Sequence, residues 1–482
     1  MGEVWKFMKK YSKVLIFISI LLVLIFIFIA SFTPIFGSKS LVDRIHDQDD
    51  DYYYYLEMFN SVYNTIKSSY VDEDKTLAKN LFHGAIKGML ESLGDPHTAF
   101  LSENDFKELT VETTGKFGGL GINISSRDGY IYVVSPIEGT PAYREGVKPG
   151  DYIIFIEDQS TKDMPVDKAV SLLRGTPGTK VKITIKRGDQ IFDKTITREI
   201  INIPTVKWGF INDNSKNIAY IKIIQFSGTT FDSFTKAIDE INKSEKEVKG
   251  VIIDLRYNPG GLLDEVLKVL DVIIPKGLIL ETRGRVEGAS SKTYATGNKP
   301  IIPIKVPMVV IINEGSASAS EIMAGVLQDT HRAVIIGKKS FGKGSVQTVR
   351  QLPDGSGFRI TIARYYLPSG RTPDKVGITP DIEVQTFNLS EEVQSLILKV
   401  EKQGYIKDYM KNKDSVSSQD VEELNKILKD KGIDLDKRII RMLAQRELPS
   451  IPLYDPEDEF VLKAKEIINN YSKYSKELKT FE

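Results

Sequence analysis

From Val14 to Ala30 the chain is almost wholly Leu, Ile, Val and Phe, and residues 14 to 38 carry no charge. With its flanks this run is long enough to cross a hydrocarbon core roughly 30 Å thick as a helix. Helical spacing follows: Leu56, Phe59, Val62, Tyr63 and Ile66 mark one helix, and Leu81, Ala85, Ile86 and Met89 another. Between residues 109 and 200 short apolar runs such as Tyr130 to Val134 alternate with glycine-rich turns. A short helix opens at Pro141-Ala142 and a second spans Val166 to Arg174. From Ile201 to about Val384 strands and helices alternate. Ile218 to Ile224 and Val251 to Leu255 read as strands; Phe231, Phe234, Ile238 and Ile241 line one helix, and Leu262, Leu263, Val266, Leu267 and Leu270 the next. Beyond residue 385 the pattern turns helical and charged, with apolar positions at Val421, Leu424, Ile427 and Leu428.

The strand–helix alternation predicts an α/β layered core, in which loops leaving the C-terminal ends of strands carry the chemistry. Two such loops stand out. One is DLRYNPGG, from Asp254 to Gly261, at the end of a predicted strand. The other follows the apolar run Met308 to Ile312, where Asn313-Glu314-Gly315 makes a turn and Ser316, Ser318 and Ser320 crowd the start of a helix. Free N–H groups and the helix dipole favour developing negative charge there, so the turn suits a nucleophile. A serine hydroxyl needs a base. The four histidines offer only His331 close in sequence, whereas Lys343, between Gly342 and Gly344, can serve if burial lowers its pKa. Gln347 follows four residues later with an amide able to orient a neutral amine. The bland alternatives are Ser318 as the cap of an S-x-x-E box with Glu321, Lys343 as a solvated loop residue, and a Ser-His-Asp arrangement through His331.

Composition narrows the classes. Lys+Arg and Asp+Glu both number 65, which gives no general electrostatic case for nucleic acid. The absence of cysteine removes thiol nucleophiles, disulfides and cysteine-based zinc sites. Lys6, Lys9, Lys10 and Lys13 precede the apolar run, so the positive-inside rule leaves residues 1–13 in the cytoplasm, makes 14–36 an anchor and sends everything after about residue 37 outside. A cleaved signal peptide is the rival reading, although no clear A-x-A site follows. Asp43 to Asp51 reads as an acidic tether within a 37–50 linker, and Tyr52 to Tyr55 open a helical region over 51–108, with core or dimer packing expected for the tyrosines.

The SASASE turn, the FGKGSVQ segment with its lysine 25 residues on from Ser318, and DLRYNPGG together resemble the carboxy-terminal processing, or tail-specific, proteases. The resemblance implies Ser318 as nucleophile, Lys343 as general base, Gln347 as the residue orienting the lysine, and an oxyanion hole from the Gly260 and Ala319 N–H groups. It implies a crotonase-like and ClpP-like layered core over 201–385, with Gly377-Ile378-Thr379-Pro380-Asp381 closing it, a helical arm that includes Asp95-Pro96-His97, and no metal or cofactor. Residues 109–200, opening with Gly118-Gly119-Leu120-Gly121-Ile122, resemble a PDZ domain in which Leu120, Gly121 and Ile122 receive a substrate's C-terminus on an open strand edge. Arg174 is expected to relay occupancy of that domain by pairing with a carboxylate of the core. His97 is read as structural. Residues 386–482 form a C-terminal helical region in which Asp455 to Asn470 resemble the short segment that ends the family, while residues 386–450 are longer than the family pattern. The expectation is a single-pass, extracytoplasmic bacterial serine endopeptidase acting on proteins with free C-termini, with a homodimer as its candidate assembly. The alternative is a membrane-anchored PDZ scaffold without activity.

Overall fold

A computed structural model describes residues 2, 42–213, 216–244, 247–385, 390–411, 413–448 and 453–478. The expected anchor at 14–36 lies outside them, and among the described residues no helix is long and apolar enough to cross a membrane. The chain divides into two compact units, up to Leu93 and from Gly94.

In the first unit the helix Val42–Ser69, the short 3₁₀ turn Glu73–Thr76 and the helix Ala78–Glu91 follow one another, with Phe82 packed on Phe59 and Tyr63. The acidic segment expected as a tether is part of the first helix, because no glycine or proline interrupts it. Tyr52 to Tyr55 are not core residues; each is about 60% exposed.

In the second unit, six strands stand side by side in chain order: Val206–Asp213, Lys216–Ile223, Val248–Asp254, Met308–Ile312, Val334–Gly337 and Ile382–Glu383. The first pair is antiparallel and the rest are parallel. Side chains alternate across this sheet. Ile253, Val310 and Ile335 face helices Thr230–Lys243, Leu263–Asp271 and Ala319–Asp329, while Ile252, Val309 and Ile336 face helix Glu459–Asn469. Burial on both faces explains why these strands read as unbroken apolar runs.

A second sheet centres on Gly357–Tyr366, paired with Ala99–Leu101, Ser345–Gln351 and Leu278–Gly284, with Ser291–Tyr294 outermost. Its Tyr365 and Leu367 close over the helix Ala319–Asp329, which is buried at every position from Ala319 to Leu327. Small residues permit this fit: a side chain at Gly325 would press on Leu367. The segment Gly94 to Glu108, read as part of the helical arm, belongs to this unit through the Ala99–Leu101 strand, and its helix Glu103–Thr114 runs on into the stretch read as the start of the PDZ domain.

The region expected as PDZ forms its own sheet, in the order Ile122–Arg127, Tyr130–Pro136, Tyr152–Ile156, Lys180–Arg187 and Gln190–Thr197. A two-stranded ribbon, Lys116–Gly119 against Glu199–Asn202, carries both chain passages between it and the core. Helices Glu391–Gln403, Tyr405–Met410, Ser418–Asp430 and Lys437–Arg446 pack around a core of their own that includes Val421, Leu424, Leu428 and Ile440.

Candidate active site

The two predicted loops are neighbours because the strands that launch them, Val248–Asp254 and Met308–Ile312, pair in parallel. Asn258 ties them together. Its carbonyl accepts the Ala317 N–H and the Ser320 hydroxyl, each at 3.0 Å, and its amide donates to the Ile223 carbonyl at 2.9 Å. Between those two anchors, Ser318 sits at φ 53° and ψ −114°, a region that costs a residue with a side chain about 1–3 kcal/mol and that a strand-to-helix elbow uses to present its serine. Gly260, at φ 100°, lies so close that a Cβ there would stand 2.6 Å from the Ala317 carbonyl, 2.7 Å from Ser318 Cβ and 2.9 Å from the Ala319 nitrogen. Only glycine fits both the conformation and the gap.

Glu321, fully buried, organises the other side. Its Oε2 accepts the Ser318 and Lys343 N–H groups, each at 2.8 Å, and its Oε1 accepts the Gly342 N–H at 2.7 Å and the Ser340 hydroxyl at 2.6 Å. Tyr365 adds a second clasp, its hydroxyl donating to the Lys343 carbonyl at 2.5 Å and the Ser318 carbonyl at 3.2 Å. Ser318 and Lys343, 25 residues apart in sequence, are thus held on the same carboxylate oxygen and the same phenol. Ser318 and Glu321 stand in the capping-box relation, but the Ser318 hydroxyl makes no capping hydrogen bond.

Lys343 is half-buried, and its ammonium has no carboxylate partner among the described residues. Burial, and then the charge of Arg359, push its pKa below the ordinary lysine range, while Asp95 and Glu321 pull the other way. The Ala319 N–H, first of its helix, has no acceptor among the described residues. The Gly260 N–H donates to Asn258 Oδ1 at 2.9 Å.

Two expectations meet different partners. The Gln347 amide donates to Ser345 Oγ at 2.7 Å and Thr361 Oγ1 at 3.4 Å and makes no bond to the lysine amine. Among the described residues Arg174 pairs with no core carboxylate; its guanidinium lies over the Phe117 ring, 4.6 Å from the centroid, because Phe117 is on the ribbon strand that passes that helix end. His331 is exposed at the far end of the serine helix, about 16 Å along its axis, which separates it from Ser318.

The structure also adds residues. Asp95 accepts the His97 N–H at 3.0 Å and the Thr98 hydroxyl at 2.7 Å, and Thr98 Oγ1 accepts the Thr361 N–H. Burial works against the Asp95 charge, but hydrogen bonds from Thr361, Thr98 and His97 hold its pKa at about 2. That turn supports the structural reading of His97, whose pKa is lowered by burial and then by the charge of Lys343. Only the Asp-Pro-His motif and the S-x-x-E spacing announced these residues in the sequence; Tyr365 and Arg359 left no signal.

In the PDZ region the strand Ile122–Arg127 is an edge of its sheet and helix Val166–Leu173 packs beside it. Gly121, at φ 74°, leaves no room for a side chain against Thr140. Its carbonyl accepts the Ile137 N–H at 2.8 Å, that of Leu120 accepts the Ala142 N–H at 3.0 Å, and the Leu120 and Gly121 N–H groups have no acceptor among the described residues.

Comparison with known proteins identifies relatives of the chain. Residues 217–384 match the model of peptidase family S41, residues 108–186 that of the PDZ domain and residues 36–105 that of the activating protease CtpB N-terminal domain. The carboxy-terminal-processing protease of Bartonella bacilliformis is 41% identical over 350 residues, spanning 70% of this chain and 77% of that protein. The carboxy-terminal processing protease CtpA of Bacillus subtilis is 37% identical over 340 residues, 68% of this chain and 69% of that protein. A solved structure of a photosystem II D1 C-terminal processing protease is 27% identical, covering 70% of this chain and 96% of that one with a TM-score of 0.40. The reading as an inactive scaffold finds no support among these relatives. A serine peptidase core joined to a PDZ domain, with relatives of this identity over two thirds of their length, places the chain in peptidase family S41, among the carboxy-terminal processing serine proteases.

Proposed function

We propose that this peptidase cleaves loosely folded proteins from their C-terminal side with Ser318 and Lys343 as its reacting pair. Neutral Lys343 takes the Ser318 hydroxyl proton as the oxygen attacks the scissile carbonyl, and the protonated lysine then gives that proton to the leaving amine. Water, activated by the same lysine, releases the acyl group from Ser318. The Ala319 N–H is free to hold the oxyanion. The Gly260 N–H joins it by exchanging Asn258 Oδ1 for the developing charge. Leu120, Gly121 and Ile122 take the substrate's terminal carboxylate while its chain adds to the open strand edge. Residues 14–36 anchor the enzyme with its catalytic unit outside the cell membrane.

The observation that carries the reaction is the shared grip of Glu321 on the Ser318 and Lys343 N–H groups, which fixes nucleophile and base together. The test is proteolysis of an unstructured protein with an apolar C-terminal tail by the chain from residue 40 onward. Ser318→Ala is expected to reduce cleavage to background. Lys343→Ala is expected to slow it about 10²–10⁴-fold, the usual contribution of a general base, with both variants folded. Cleavage at the wild-type rate by Ser318→Ala would sink the assignment.

A further inference from the structure

The segment that follows the matched family region reaches back to the oxyanion side of the site. Arg256 lies two residues after the strand Val248–Asp254 and two before Asn258, the residue that ties the two loops. Its Nε and Nη2 donate to Asp254, the latter at 2.7 Å, and Tyr220 donates to the same carboxylate at 2.5 Å. The remaining arm of the guanidinium, Nη1, donates at 2.6 Å to Oδ2 of Asp458, 202 residues further along the chain. Asp458 is a two-handed residue: its Oδ1 caps the helix Glu459–Asn469 by accepting the Phe460 and Val461 N–H groups at 2.9 and 3.4 Å. That helix is itself fixed, because Val461, Ala464, Ile467 and Ile468 are buried against the central sheet and Phe460 lies under the guanidinium.

The Arg256 side chain is largely buried, with Phe460 on one side and open space on another. A cavity of about 430 Å³ opens between the loops and the C-terminal helices, with Arg256, Tyr257, Asn313, Arg441 and Asp458 in its wall. The direction of the guanidinium is therefore set by Asp254, which belongs to its own strand, and by Asp458, which is the outside reference. Tyr257, next in sequence, is at φ 59° and donates to Asn313 Oδ1 at 2.9 Å, so a shift at Arg256 passes to both loops.

We infer that Asp458 is a positioning residue for the peptidase reaction, holding the Arg256–Gly261 loop at the distance from Ser318 that the oxyanion requires. The inference rests on the Ser318 assignment and assigns a role in the site to a residue beyond 384, where the family match ends. A bond to a charged partner of this kind makes Asp458 a source of specificity in the loop rather than of bulk stability, since Asp254 continues to neutralise Arg256 without it.

Asp458→Asn tests it, because asparagine caps a helix as well as aspartate but cannot pair with Arg256 as a charge. Asp458→Ser, which also caps but is too short to reach, serves as the second variant. Both are expected to lower kcat about ten- to a hundredfold with KM for a tailed substrate and the melting temperature close to wild type, and to speed amide exchange in residues 255–262. Unchanged exchange in 255–262 overturns the inference, as does wild-type kcat in Asp458→Asn. A joint collapse of kcat and melting temperature in both variants also overturns it, because the residue would then be a cap alone. Ser318→Ala run alongside keeps the two readings apart: its activity judges the nucleophile, while amide exchange judges Asp458 whether or not that assignment holds.

Discussion

Lys343 and Arg359 are two half-buried cations, and after burial the charge of Arg359 further disfavours the protonated lysine. Arg359 has no carboxylate partner among the described residues, and its Nε is buried without a hydrogen bond. It therefore acts on Lys343 as a positive charge that, after burial, is the second cause of the lowered lysine pKa, opposed by Asp95 and Glu321. The sign follows directly. The neutral lysine is the base, so kcat/KM rises with pH as Lys343 loses its proton, and anything that disfavours the ammonium moves that rise to lower pH. Arg359→Met, which keeps bulk and removes charge, is expected to shift the rising limb to higher pH and to lower kcat/KM at neutral pH, with the high-pH plateau retained. A pH–rate profile checks this; an unmoved or downward-shifted limb contradicts it. At this scale the sequence showed the nucleophile and the lysine, because each lies in a local pattern of turn and glycine. It showed Glu321 only as a possible cap, since three of its four hydrogen-bond donors come from residues 19 to 22 positions away, and such closures leave no trace in spacing.

Among the elements, buried parallel strands were the most legible: Met308–Ile312 is apolar at all five positions because both faces are covered. Leu278–Gly284 and Ser291–Tyr294 escaped notice, for they mix charged and apolar residues and the second is mostly exposed, so neither period nor composition separates them from loop. The ribbon Lys116–Gly119 with Glu199–Asn202 was equally silent, although it is the connection through which occupancy of the PDZ groove can reach the core. Arg174 ends the groove-side helix, and its contact with Phe117 lies on that ribbon. A cation over an aromatic ring contributes about 0.5–2 kcal/mol, enough to bias a two-state connection several-fold. Arg174→Ala is accordingly expected to reduce the stimulation of cleavage by an apolar tail peptide several-fold while leaving the peptide's affinity for the PDZ region unchanged, as read by titration and initial rates together. If basal rate and stimulation are both as in wild type, Arg174 carries no signal.

At the level of the whole molecule, the placement of the catalytic unit decides which substrates it meets. The total charge balances at 65 basic and 65 acidic residues, so no bulk attraction brings the enzyme to a membrane or a polyanion. In the proposed arrangement attachment comes from the uncharged run over residues 14 to 38, preceded by Lys6, Lys9, Lys10 and Lys13. Twenty or so apolar residues in helical form span a bilayer, and moving four lysines through its centre would cost about 2.5–3.5 kcal/mol each, so the proposed orientation keeps the N-terminus inside. The full chain is therefore expected in the membrane fraction, resistant to alkaline extraction, with residues beyond the anchor digested by protease added outside intact spheroplasts. A chain beginning at residue 40 should be soluble and retain the cleavage of a tailed substrate, because every residue placed in the site lies after Gly94. Recovery of the full-length gene product as a soluble secreted species with a new N-terminus near residue 37 would replace the anchor with a cleaved signal. Protection of the catalytic unit from external protease would reverse the orientation. Of these outcomes, retention in the membrane with external exposure is the one that the proposal predicts, from the lysines before the apolar run and the absence of charge within it.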